Sequence, residues 1–236
     1  MSGAARREFR TLVSLDEARA LVARLALPRL AETLPVRAAL DRVLAADVAA
    51  ARDVPPFTRS TMDGYALRAS DVAEADEARP VRLRVAGVAE AGRPAAAVLG
   101  AREAVEIATG APLPAGANAV VPVERTDREG DAVLVRRGVA PAENVMGAGD
   151  DLMLGDVPLA AGTPLGPAQL ATLAALGVEE VAVVARPDVA IASLGDEIRP
   201  PGAPLGPGQI HDVNSAFLEA AVTRAGGSPR RLGILP

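Results

Sequence analysis

The hydrophobic period of this chain changes three times, which calls for a mixed fold of several domains. "SLDEARALVARLALP" has a capping box, Ser14 with Glu17, and places Leu15, Ala18, Leu21, Val22 and Leu25 on one helical face ahead of Pro28. A second helix is expected over about Val36 to Ala46, with Ala39, Leu40, Val43 and Leu44 as its stripe. From Val54 to about Gly138 the texture becomes short strands between Gly, Pro and Asp: "VRLRVAG", "AVEIATG", "ANAVVPVE" and "DAVLVRR", the last two joined by a turn at "RTDREG". Helical period returns at "GPAQLATLAALG", with Pro167 in the first turn, a stripe of Leu170, Leu173, Ala174 and Leu176, and Gly177 at its end. Finally "DVAIASLGDE" reads as a strand and loop, "NSAFLEAAVTRAGG" as a helix capped by Asn214, and "RRLGILP" as another strand.

Helices on both sides of a β module indicate an insertion. The fold class expected is therefore α+β and multidomain. Residues 1–53 and 139–186 form a discontinuous helical or mixed domain, 54–138 an inserted all-β domain, and 187–236 the first βαβ unit of an incomplete α/β domain. A parallel sheet needs cover on both faces, so this unit is expected to be mobile or sheltered by a partner chain.

Composition narrows the chemistry. With Phe9, Phe57, Phe217 and Tyr65 as the only aromatics, the core rests on Val, Leu, Ile and Ala, and base-stacking platforms are not expected. The net charge of −5, with arginines scattered among acids, argues against a nucleic-acid face. All 25 basic residues are Arg, so Schiff-base chemistry and a lysine-cradled P-loop are ruled out. The absence of cysteine removes disulfides and thiolate chemistry, and the lone His211 cannot build a histidine metal site. Any metal must be hard and oxygen-bound. No apolar run reaches the roughly 18 residues of a membrane helix, and "MSGAARREFR" lacks a signal peptide's apolar stretch, so a cytoplasmic protein without membrane partners is expected.

Five runs spend Gly, Pro and acids where a plain core would spend Val and Leu: "PPFTRSTMDGYA", "ATGAPLPAGANAVVPVE", "ENVMGAGDDLMLG", "SLGDEI" and "QIHDVNS". Singly, each has a plain structural reading. Pro55-Pro56 punctuates a linker, Asp63-Gly64 makes a turn, Tyr65 plugs a gap between domains, Thr109 ends a strand, and "GDD" and "GDE" are solvated turns. In their order and spacing, however, they resemble the MoeA-type molybdopterin molybdenumtransferases, whose eukaryotic relatives include the gephyrin E domain. The resemblance covers essentially residues 14–236.

It implies that the "MDGYA" loop turns Asp63 toward an active-site cleft with Tyr65 bracing it, and that the last segment opens a MogA-like domain. It further implies an enzyme that takes adenylylated molybdopterin and molybdate, cleaves the adenylate with Mg²⁺, and releases AMP and molybdenum cofactor. Carried over by motif, the catalytic residues are Asp63, Thr109, Asp151 and Glu197, and Asp63, Asp151 and Glu197 would face the metal. Ser193, Gly195, Asp212 and Asn214 would line the pterin pocket. Carboxylates from three loops suit Mg²⁺, which prefers one or two of them plus substrate phosphate oxygens. Gly-rich "TGAP" and "SLGDE" would let backbone amides approach phosphate or pterin.

The chain departs from the pattern at Met146 and Ala148, where the family commonly has arginine before its "GED", and at Leu194 and Val213, where relatives often carry small hydroxyls. The family chain also continues beyond Pro236. The alternative function is thus a truncated, non-catalytic dimerisation or interaction module. A homodimer is expected from apolar surface left over at 15–25 and 170–176, and a molybdopterin adenylyltransferase is an expected partner.

Overall fold

The computed structural model describes residues 12–25, 30–93 and 98–235. It is a mixed α/β structure in which two compact units separate: one spans Thr33–Ala182, and the other comprises the chain before Thr33 together with Val183 onward. Strands β1 (Ala31–Pro35) and β10 (Glu180–Val184) pair with each other.

In the larger unit the centre is a six-stranded sheet. Its strands are β3 (Gly64–Leu67), β4 (Val81–Ala89), β5 (Glu103–Ile107), β6 (Ala119–Pro122), β7 (Thr126–Glu129) and β8 (Ala132–Val135), in the order β6-β3-β5-β4-β8-β7. Only β4 and β5 run parallel; the other neighbours are antiparallel. Alternation along β3 feeds two apolar layers, since Tyr65 and Leu67 join Leu83, Val121 and Val133 while Ala66 joins Val105, Ile107 and Val120. Two expectations are corrected here. The "MDGYA" run is not a loop throughout: from Gly64 onward it is an inner strand, in which Tyr65 is 4% exposed. The "RTDREG" turn contains β7, a charged edge strand closed onto β8 by a two-residue turn with Gly130 at φ 61°. Charges on an edge strand discourage pairing with another chain, and they also hide the strand from a hydrophobic pattern.

Outside the sheet the same unit is built from chain passing out and back. Residues 41–60 run alongside 145–165, with hydrogen bonds from the amides of Leu44 to Thr163 O (3.0 Å), Val48 to Leu159 O (2.8 Å), Ala50 to Asp156 O (2.8 Å) and Val54 to Leu152 O (2.8 Å). The two-residue strands β2 (Arg59–Ser60) and β9 (Val145–Met146) continue this ladder antiparallel. The helix expected over 36–46 is absent, another correction. Val36–Ala38 makes one 3₁₀ turn, Asp41 adopts φ 60°, and the following amides pair with the returning chain. Helix propensity is worth only tenths of a kcal/mol per residue, and hydrogen bonds to the returning segments outweigh it. Helix α2 (Pro167–Ala175) is as expected, with Pro167 at its first position and Gly177 at φ 74° just past its end. Its stripe is not spare surface, however. Leu173 and Leu176 are buried and Leu170 half-buried within the chain.

In the smaller unit, α1 (Leu15–Ala23) has the expected capping box. The Ser14 hydroxyl accepts from the Glu17 amide (3.2 Å) and the Glu17 carboxylate from the Ser14 amide (2.7 Å). Pro28 lies outside the described residues. Strand β11 (Asp188–Leu194), helix α3 (Val213–Arg224) and strand β14 (Ser228–Leu235) form the expected parallel βαβ unit, and β12 (Ile198–Arg199) pairs in parallel with β13 (Ile210–His211) in the connection. The cap of α3 is Asp212 rather than Asn214: its carboxylate accepts from the Ser215 amide (3.0 Å). A carboxylate two residues earlier reaches the first free amides of the helix, where an anion also meets the positive end of the helix dipole.

Candidate functional site

Three of the five unusual runs meet at β2. On one side, the Ser60 amide donates to Ala111 O (3.0 Å), the Gly110 amide to Ser60 O (2.8 Å) and the Leu113 amide to Thr58 O (3.0 Å). On the other, the strand pairs with β9, and the Thr61 amide donates to Asn144 O (3.1 Å). The buried Ser60 hydroxyl then shapes the turn toward the sheet, donating to Met62 O (2.6 Å) and accepting from the Met62 amide (3.2 Å).

This turn delivers Asp63 to the start of β3. Both the amide and the hydroxyl of Thr109 donate to one carboxylate oxygen of Asp63, at 2.7 and 3.0 Å. The backbone donor, then the hydroxyl, hold the Asp63 carboxyl below its ordinary pKa, so the group stays ionised. Asp63 and Thr109 are 46 positions apart in sequence yet form one exposed unit. Beside them is a pocket of about 240 Å³ whose walls include Tyr65, Val88, Glu90, Glu106 and Val123.

Asp151 arrives on the chain returning past 54–55. Its amide donates to Val54 O (3.0 Å), while its exposed carboxylate has no partner among the described residues. The neighbouring Asp150 is committed to its own turn, accepting from the Gly147 amide (2.6 Å).

In the βαβ unit, the remaining predicted residues fall into two groups. Ser193 and Asp212 are buried and occupied with each other. The Ser193 hydroxyl donates to Asp212 (2.8 Å) and lies 3.0 Å from the Ser215 hydroxyl. Hydrogen bonds from the Ser215 side chain and amide, then from Ser193, lower the Asp212 pKa. Gly195 and Glu197 lie past the end of β11, and Glu197 is exposed. Gly195 has φ 143°, a backbone conformation that favours glycine, and the Glu197 carboxylate packs against the place a β-carbon would take. Gly195, Asp196, Arg199, Ile234 and Leu235 line a pocket of about 270 Å³ at the carboxyl ends of β11 and β14, where open α/β sheets bind ligands. Asn214, Leu194 and Val213 are all exposed. Among the described residues no group of three or more His, Cys, Asp or Glu side chains is placed to hold a metal ion.

One residue that the motifs did not single out stands at the meeting point. Arg59 is half-buried on β2, and its signal in the sequence was present: it is the only basic residue between Arg52 and Arg68.

Residues 13–177 match the family model described as the MoeA N-terminal region (domain I and II). The chain belongs to the MoeA family. Among curated relatives, it is 43% identical over 196 residues to molybdopterin molybdenumtransferase 2 of Mycobacterium tuberculosis, covering 83% of this chain and 48% of that protein. With molybdopterin molybdenumtransferase of Bacillus subtilis it shares 37% identity over 230 residues, 96% of this chain and 54% of that one. A crystal structure of the molybdopterin biosynthesis MoeA protein from Pyrococcus horikoshii OT3 superposes with a TM-score of 0.88 at 38% identity, covering 96% of this chain and 60% of that one. The chain thus spans about half the length of the curated MoeA relatives it matches.

Proposed function

We propose that this chain supplies the N-terminal part of a molybdenum insertase, a transferase that joins molybdate to adenylylated molybdopterin and releases AMP. The observation that carries this reading is the Asp63–Thr109 unit, which joins two of the family's motifs at one exposed position. Two donors occupy one oxygen of Asp63 and leave the other for a ligand. A carboxylate kept ionised by hydrogen bonds is a poor proton acceptor near neutral pH, but a good electrostatic partner for a cation. Such an oxygen suits Mg²⁺ as one ligand among substrate phosphate oxygens, with Asp151 as a second donor; Mg²⁺ would supply charge neutralisation of those phosphates. Glu197 and the pocket beyond β11 and β14 belong to the pterin side of the same reading.

A homodimer, delivery of substrate by a molybdopterin adenylyltransferase and a cytoplasmic location are parts of this proposal. Among the described residues no helix is long and apolar enough to cross a membrane.

The second reading, a non-catalytic interaction module, is favoured by one feature. The α1 face carrying Leu15, Leu21, Val22 and Leu25 is 54–67% exposed. A chimera joining this chain to the remaining length of the Bacillus subtilis relative separates the two. The insertase reading expects AMP release that depends on molybdate, and a loss of about 100-fold or more on Asp63→Asn, with an unchanged melting temperature. Molybdate-dependent release that survives Asp63→Asn would remove Asp63 from the chemistry. A chimera that is folded but inert would leave the module.

A further inference from the structure

An insertase of this kind handles a tetrahedral dianion beside several carboxylates, and such an ion needs a cation to hold it. This chain has no lysine and a single histidine, so a side-chain cation that it contributes for such an ion would be arginine. Loop Val145–Gly149, across the ladder from β2, contributes no charge of its own.

We infer that Arg59 is the oxyanion-binding residue of this chain, its guanidinium fork taking a tetrahedral dianion such as molybdate or a substrate phosphate; the inference rests on the insertase reading above. Arg59 lies opposite Met146 in the β2–β9 ladder, and its Nη2 donates to the Met146 thioether sulfur at 3.4 Å. That is the one side-chain hydrogen bond it makes among the described residues, and no carboxylate there pairs with it. A guanidinium carries five N–H donors, and a thioether is a weak, neutral acceptor, so most of the fork is left open. Leaving a half-buried charge this poorly satisfied costs stability, and such an arrangement is expected where an incoming anion completes it.

The backbone under Arg59 is held from both sides by the hydrogen bonds to 110–113 and to 144–146, so the side chain leaves a fixed base. Arg59 is also four residues before Asp63 in the same segment, with the Ser60 hydroxyl fixing the turn between them. Charge of one sign is thereby set close in sequence to charge of the other, as a site for an anion and its counter-cation requires.

The test uses the 236-residue chain itself, in equilibrium dialysis against molybdate and, separately, against inorganic phosphate and AMP. Arg59→Met, which keeps the length and removes the charge, is expected to weaken binding at least tenfold. Arg59→Lys should recover part of the loss, because it restores charge without the fork. A loss confined to molybdate assigns the fork to the metal oxyanion, and a loss confined to phosphate and AMP assigns it to the substrate phosphate. Undiminished binding of all three by a folded Arg59→Met chain overturns the inference, as does an unaltered chain that binds none of them. Failure of the insertase reading shows elsewhere, as a chimera that releases no AMP.

Discussion

Asp63 and Thr109 show how a residue's environment writes its chemistry. The Thr109 amide is the larger cause of the depressed Asp63 pKa and its hydroxyl the smaller. Thr109→Val should therefore raise the Asp63 pKa toward its ordinary value without restoring it, because the amide remains. The side-chain carboxyl carbon of Asp63, followed by NMR titration, reads this directly, and an unmoved midpoint would mean the hydroxyl contact is not made in solution. The pH dependence has a definite sign. A carboxyl depressed in the folded state stabilises the fold fully above its unfolded value of about 3.9, and that contribution disappears as pH falls through the lower folded value. Thr109→Val should shrink this acid-range contribution and leave neutral stability slopes alone. The motifs had named both residues, but not their contact, because two positions 46 apart are joined by sheet pairing that no local pattern encodes. Arg59 escaped notice for the opposite reason. Arginine is common in this chain, and what sets Arg59 apart is partial burial with a thioether as its hydrogen-bond partner among the described residues.

At the scale of elements, Gly64 explains why "MDGYA" reads as neither helix nor strand. The dipeptide Asp63-Gly64 suggests a turn, yet Gly64 lies within β3, where a β-carbon would run into the Val121 carbonyl of β6. Glycine inside a strand marks close approach of another backbone, and here the approach brings an inner strand between two neighbours. Gly64→Ala should destabilise the chain by about 2 kcal/mol, the typical cost of overpacking, as measured by urea unfolding. A change below about 0.5 kcal/mol would show that β6 yields freely. Elements whose signals are local were legible: the Ser14–Glu17 box, Pro167 and Gly177 around α2, and the strand–helix–strand order of the last segment. Those decided by distant chain were not. Residues 36–46 have helical spacing, but the amides of Asp41, Leu44 and Ala45 are claimed by Leu165, Thr163 and Ala182, and β7 has the composition of a loop because it borders solvent.

For the molecule as a whole, the face of α1 is an uncovered apolar surface among the described residues. Leu15, Leu21, Val22 and Leu25 are more than half exposed, whereas the stripe of α2 is consumed within its own unit. A symmetric dimer is the commonest way to cover such a face, so light scattering at micromolar concentration should give twice the 24.0 kDa of one chain. Replacing Leu21 and Val22 by glutamate should return it to 24.0 kDa, and a monomer before substitution would defeat the proposal. The ladder of 41–60 against 145–165 has a different kind of consequence. Because Ser60 faces Val145, everything between them begins and finishes within one strand spacing, like a phrase set between parentheses. Anything whose two ends lie about 5 Å apart can stand in that place without the rest of the chain being redrawn. Natural variation can therefore lengthen or trim the turns of the enclosed passage while Asp63 and Thr109 stay in it, and a protein engineer can treat it as a cassette that carries the site along with the sheet.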